Sequence, residues 1–75
     1  ANYDFIGKVE QYQIIQKNKA NILLKLVLLD KKDVSTPYLF KEELSKIFEG
    51  CMISLDLSGE LIRGKGGKLR TVIGL

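Results

Sequence analysis

The chain has 75 residues, of which 45% are hydrophobic and 28% are charged, and its formal net charge is +3. This composition is typical of one small globular domain over residues 1–75 and excludes a disordered tail. Histidine is absent and Cys51 is the single cysteine, which excludes an internal disulfide and argues against a zinc site, so we expect no metal and no cofactor. The lack of disulfides in so small a chain predicts either a reducing, cytoplasmic location or oligomerisation that enlarges the core. We expect no membrane partner, because no signal peptide or long apolar run is present.

The positive charge is concentrated near the end of the chain. Residues 1–60 hold eight lysines and nine acidic residues, whereas residues 61–75 hold four cations and no acid. Such an asymmetry favours an anionic partner.

The first half of the chain predicts a β-hairpin. Residues 3–16 predict the first strand: residues 5–10 have strand spacing, Gly7 predicts a bulge or bend, and the alternation becomes irregular after Glu10. Residues 17–21 are polar and predict a turn. Residues 22–29 are apolar on both faces apart from Lys25, which predicts a second strand.

A helix is predicted after a second polar turn at residues 30–33. Residues 35–40 remain open to two interpretations: a helix start with Pro37 in its first turn, or a short strand with Pro37 at its entry. Residues 41–48 place apolar side chains at helical spacing, and Gly50 follows as a stop signal.

The remaining residues predict two more strands. Residues 51–58 alternate strictly between apolar and polar, and the strand is expected to continue past Gly59 to Arg63. Residues 64–67 predict a hairpin turn whose glycines permit positive φ, and residues 68–75 predict the last strand.

Residues 59–66, GELIRGKG, are similar to a P-loop, which reads G-x-x-x-x-G-K-[ST]. Gly66 occupies the position of the hydroxyl residue, and a strand pattern rather than a helix follows. A P-loop requires a helix N-terminus for its phosphates. The stretch is therefore interpreted as a basic turn.

The order of elements is that of the OB-fold, a five-stranded barrel with a helix between its third and fourth strands. The sequence thus predicts a mostly β, small OB-like barrel with residues 36–40 as strand 3, one short helix at 41–48, residues 51–63 as strand 4 and residues 69–75 as strand 5. Several segments also resemble the single-stranded-DNA-binding proteins of bacterial and phage type. They are Ile6-Gly-Lys-Val9, residues 44–50, residues 53–61, Arg63 and residues 70–73.

The leading functional hypothesis is sequence-tolerant binding of single-stranded nucleic acid, with DNA and RNA both open. Such binding needs a cationic groove and exposed aromatic faces. The expected site residues come from the first and last hairpins and two tyrosines: Lys8, Tyr12, Lys17, Lys19, Lys25, Tyr38, Arg63, Lys65, Lys68 and Arg70.

The alternative hypothesis is a protein-interaction or assembly module, such as a component of a phage particle or mobile-element complex. Residues 22–29 cannot hide both faces in so small a barrel, so either the helix or a second chain must cover one set. We expect a homo-oligomer with Leu23, Val27 and Leu29 at its interface. An enzyme is not expected, because no histidine or paired carboxylates form a catalytic constellation.

Overall fold

The computed structural model describes residues 4–67 and 71–74, and only the backbone of Asp4 and Lys65. These residues form one helix and a four-stranded sheet with the strand order β3-β2-β1-β4. The elements are β1 (Val9–Gln16), β2 (Asn21–Leu28), α1 (Ser35–Ile47), β3 (Met52–Asp56) and β4 (Val72–Ile73), with short 3₁₀ turns at Asp4–Lys8 and Lys65–Gly67. The prediction of a strand-rich fold with one helix is confirmed.

Strands β1 and β2 form the predicted antiparallel hairpin, in which Tyr12 lies opposite Leu26 and Gln16 opposite Ile22. The amide of Lys17 donates to the carbonyl of Asn21 at 3.0 Å and closes the turn. The first strand begins at Val9, later than predicted, because a 3₁₀ turn precedes it. That turn places Phe5 in the core, with its ring 5.3 Å from that of Phe40.

Helix α1 includes residues 35–40, so the interpretation of 36–40 as a third strand is wrong. Asp33 Oδ1 accepts hydrogen bonds from the amides of Ser35 and Thr36, both at 3.0 Å, which satisfies two donors that the first turn leaves free. Pro37 lies in that turn and has no amide hydrogen to lose. The predicted helix over 41–48 is confirmed as far as Ile47.

Strand β3 lies beside β2 and runs parallel to it, with Ile22 opposite Ile53 and Lys25 opposite Asp56. The reason is the crossover through α1, which returns the chain to the end of the sheet at which β2 begins. Strand β4 pairs in parallel with β1 at the other edge, where Ile14 lies opposite Val72.

The core lies between α1 and one face of the sheet, here called the helix side. Alternate residues of β2 point towards this side, and all four are buried. They pack with residues from the first 3₁₀ turn, α1 and β3; the whole cluster is Phe5, Ile22, Leu24, Leu26, Leu28, Phe40, Leu44 and Ile53.

The opposite face of the sheet is crossed by residues 57–67, here called the strap. Gln13 and Lys25, which lie opposite each other in the sheet, point towards the strap. The Gln13 side chain donates to the carbonyl of Ile62 at 2.5 Å and accepts from its amide at 2.7 Å. Lys25 Nζ donates to the carbonyl of Glu60 at 3.1 Å.

The predicted five-stranded barrel is not confirmed, since the described residues form an open sheet with two parallel strand pairs. The predicted strand over 51–63 ends at Asp56, because the chain then leaves the sheet to form the strap. Of the predicted last strand only Val72–Ile73 is a strand, while 68–70 and 75 lie outside the described residues. Gly66 and Gly67 do have positive φ, and the residues that would follow them in the predicted hairpin, 68–70, lie outside the described residues.

Candidate functional site

Two of the described parts of the predicted nucleic-acid site lie at opposite ends of β1. Lys17 and Lys19 are exposed on the turn between β1 and β2, and Lys8 is exposed at the other end of β1. Eight strand residues span about 26 Å, so these ends cannot share one compact site. Arg63 is exposed in the strap, where Nη1 donates to the carbonyl of Gly67 at 3.2 Å. The Lys65 side chain, Lys68 and Arg70 lie outside the described residues.

Lys25 is engaged within the fold. Its side chain is largely buried, and Nζ forms an ion pair with Asp56 Oδ2 at 2.8 Å. The hydrogen bond from Lys25 holds the pKa of Asp56 well below its usual range, with further help from the amide of Ser58. This charge already has a partner, so Lys25 is a poor candidate for a phosphate contact.

The two predicted stacking tyrosines belong to different surfaces. Tyr12 is half-buried on the helix side, with its ring 5.1 Å from that of Phe40 and tilted by 58°. Tyr38 is 67% exposed on α1. Only Tyr38 therefore presents an open ring to solvent among these two.

The predicted interface residues are covered unequally. Leu23 and Val27 point to the strap side and are half-buried, whereas Leu29 follows β2 and is exposed. The cover expected for this side was the helix or a second chain. The strap is a third element, which was not predicted because the alternation in residues 51–58 was extended through Gly59.

An apolar groove lies beside α1 and was not predicted. Its volume is about 190 Å³, and its lining includes Ile6, Tyr12, Ile14, Leu44 and Ile47, with Glu43 the one charged residue among the described residues that line it. The groove lies between α1, the first 3₁₀ turn and β1, where the side chains of Tyr12 and Ile14 on the helix side are only half-buried.

Exposed side chains extend the apolar groove. Ile47 is 62% exposed and Val72 is 61% exposed; Val72 lies opposite Ile14 in the sheet and so shares its face. Solvent-exposed apolar side chains that are contiguous mark interaction sites more often than isolated ones do. The one signal for it in the sequence was the prediction of a single short helix beside several strands, because one helix leaves part of a sheet face uncovered.

The described residues give little support for other kinds of site. Cys51 is half-buried and its Sγ lies 3.4 Å from the carbonyl of Lys19. Within residues 4–67 and 71–74, no three His, Cys, Asp or Glu side chains are placed to hold a metal ion. In the same part of the chain, no helix has the length and apolar composition needed to cross a membrane.

Comparison with known proteins gives no matching family model, no similar curated protein and no similar solved structure.

Proposed function

We propose that the chain is a non-catalytic assembly module that self-associates by burying its apolar groove against that of a second copy. The observation that supports this is the groove itself, which α1 leaves open and which Ile6, Ile47 and Val72 extend with exposed apolar surface. A chain of 75 residues has a thin core. Covering this surface with a second chain therefore increases the apolar surface that each copy buries.

A second copy suits the groove because the same surface carries both a concave and a convex part. The lining is apolar apart from Glu43, so an occupant must present apolar side chains. Ile6 and Ile47 line the groove and are themselves exposed. Two copies related by a two-fold axis can therefore insert the same residues into each other's grooves, as a symmetric interface requires.

Sedimentation velocity at concentrations from about 1 to 100 μM tests this proposal, since association is governed by mass action. The wild-type chain is expected to sediment as an oligomer. Ile47→Lys should raise the dissociation constant of the groove interface about a hundredfold or more, because burying one isoleucine contributes about 1.5–3 kcal/mol and a symmetric interface contains two.

Leu39→Lys is the matched control, since Leu39 is also an exposed apolar residue of α1 but does not line the groove. Circular dichroism of both variants establishes that they fold. A wild-type chain that sediments as a monomer throughout would reject the proposal, as would equal effects of the two substitutions.

A second candidate function is sequence-tolerant binding of single-stranded nucleic acid. It is supported by the cations at residues 61–75, which include the exposed Arg63, and by the open ring of Tyr38. Lys17 and Lys19 add two exposed charges on one turn. A mobile-element or phage complex is one setting in which either function would serve.

Fluorescence anisotropy with labelled oligo-dT, oligo-rU and a duplex at two salt concentrations tests this second candidate. Each phosphate contact contributes about −0.7 to the logarithmic salt slope of single-strand binding. Lys65→Ala with Lys68→Ala should flatten that slope, whereas Lys46→Ala, which removes a cation paired with Glu43 on α1, should not. Tyr38→Ala should weaken the free energy of binding by about 1–3 kcal/mol and leave the salt slope unchanged. No binding at about 50 mM salt would exclude this function.

A further inference from the structure

Among the strands of residues 4–67 and 71–74, β3 is an edge strand, and its one charged residue, Asp56, is paired with Lys25. The strand lies at the end of the strand order, and its sequence MISLD contains neither lysine nor proline. Its pairing with β2 runs from Met52 to Asp56 without a bulge. Native edge strands are normally blocked by such devices, because unpaired backbone groups are a template for another strand.

The backbone groups that face outwards can be identified from one hydrogen bond. The amide of Met52 donates to the carbonyl of Ala20 at 2.7 Å, so Met52 points its backbone towards β2. Successive residues of a strand point their backbone groups to opposite sides, so Ser54 and Asp56 also face β2. The amides and carbonyls of Ile53 and Leu55 therefore face the open edge.

We propose that β3 pairs antiparallel with β3 of a second copy, with the two-fold axis at Ser54. Ile53 then lies opposite Leu55 of the partner subunit, and the two symmetric pairs exchange four backbone hydrogen bonds. This register uses every outward-facing amide and carbonyl of Ile53 and Leu55. The two Ser54 residues form the non-hydrogen-bonded pair at the centre, where Cα atoms are about 4.5 Å apart.

The side chains of β3 suit this register. Ile53 lies in the core on the helix side, and Leu55, which is 38% exposed, lies on the same face. The pairing places these two apolar side chains next to each other, an arrangement that stabilises antiparallel sheets. On the strap side the small Ser54 side chains meet, and Met52 rather than a like charge lies opposite Asp56, so no repulsion opposes the contact.

The apolar groove is lined from β1, α1 and the first 3₁₀ turn, with no described residue of β3 in its lining, so one copy can use both surfaces at once. This inference rests on the proposed function in taking a second copy as the partner, but it concerns a different surface. Two independent symmetric interfaces on one chain build assemblies larger than a dimer. We therefore expect a tetramer or a longer polymer.

Disulfide trapping tests the register directly. In a Cys51→Ala background, Ser54→Cys places two thiols across the proposed axis, and their Cα spacing falls in the range of about 4.4–6.8 Å that a disulfide requires. Mild oxidation should convert most of this variant into a covalent dimer. Ser58→Cys in the same background is the control, since it is exposed in the strap and should remain monomeric in a denaturing gel. Equal cross-linking of the two variants would overturn the proposed register.

Sedimentation velocity separates the two interfaces. Leu55→Lys adds a charge to the edge and should reduce the wild-type assembly to a dimer, as should Ile47→Lys through the groove. The double variant should be a monomer. If Leu55→Lys leaves the assembly unchanged while Ile47→Lys dissociates it, the edge inference fails and the groove proposal stands. If Ile47→Lys has no effect while Ser54→Cys still cross-links, the groove proposal fails and the edge pairing stands.

Discussion

Strand β2 presents different surfaces to the two sides of the sheet. Towards the helix it contributes four buried apolar side chains from Ile22 to Leu28. Towards the strap it contributes Lys25 between the half-buried Leu23 and Val27. The helix side is thus stabilised by apolar burial, which depends on area and has no preferred direction. The strap side combines one buried apolar side chain, Ile15, which lies opposite Leu23, with directed polar contacts from Gln13 and Lys25.

The comparison indicates a division of roles between the two sides. Apolar burial supplies most of the favourable free energy of a small domain. The net contribution of one hydrogen bond to stability is only about 0.5–1.5 kcal/mol, but the bond fixes the position of the donor relative to the acceptor. We therefore expect substitutions on the helix side to affect global stability and those on the strap side to affect where the strap lies.

The largest effect is expected from Leu24→Ala on the helix side. Leu24 is fully buried, and truncating such a leucine costs about 2–5 kcal/mol through lost burial and a residual cavity. The measurement is the free energy of unfolding in urea. Leu39→Ala, on the exposed side of α1, should change it by less than about 0.5 kcal/mol. Similar costs for both would contradict the assignment of the core.

A smaller effect is expected from Gln13→Ala, which removes the contacts to Ile62. The substitution leaves the amide and the carbonyl of Ile62 without these partners, and an unsatisfied group costs about 1–3 kcal/mol. Because the strap can expose its backbone to water, the loss should appear mainly as faster amide hydrogen exchange at Ile62. Gln16→Ala, at the end of β1, should leave that exchange rate unchanged. Unaltered exchange in Gln13→Ala would show that the strap is held by other contacts.

Lys25→Met is expected to lower the free energy of unfolding by about 1–2 kcal/mol near neutral pH. This figure lies between the contribution of an exposed ion pair and the cost of breaking a buried one. The pKa of Asp56 lies below its ordinary value of 3.8 when folded. The folded state therefore binds this proton less readily than the unfolded state does. The contribution of the pair is fully present above that ordinary value and is lost as the pH falls through it towards the lower pKa of the folded chain.

Urea unfolding of wild type and Lys25→Met near pH 7 and at about pH 3 measures this dependence. The difference between the two proteins should shrink at the acidic pH. A difference that stays constant would mean that Lys25 stabilises the fold through packing of its aliphatic part rather than through its charge.

The smallest effect is expected from Gly59→Ala in the strap. Gly59 has a φ of +87°, and no atom lies within 4 Å of the position that a Cβ would occupy. The cost is therefore one of backbone strain alone, about 1 kcal/mol. Gly7→Ala is the control, since that site is equally open and has no positive φ. In thermal unfolding, Gly59→Ala should melt at a lower temperature than Gly7→Ala. A destabilised Gly7→Ala beside an unaffected Gly59→Ala would contradict this expectation.

Local patterns in the sequence predicted the elements that local interactions determine. The hairpin follows from a polar turn between two strand patterns, of which the second is apolar on both faces, and α1 ends where Leu44 and Ile47 complete the apolar spacing before Gly50. The alternation in 51–58 correctly placed a strand at Met52–Asp56. The start of α1 was left open because a capping side chain, Asp33, had been assigned only to a turn.

The tertiary structure alone decided which strands are neighbours and in which direction they run. Periodicity gives the face on which a side chain lies but not the partner of a strand, so the alternation in β3 fitted a barrel strand and a parallel edge strand equally well. The packing of α1 against the first 3₁₀ turn and the sheet then created the apolar groove, and the departure of the chain after Asp56 created the strap. Both depend on contacts between residues far apart in the sequence, such as Gln13 with Ile62, and no local pattern encodes such a pairing.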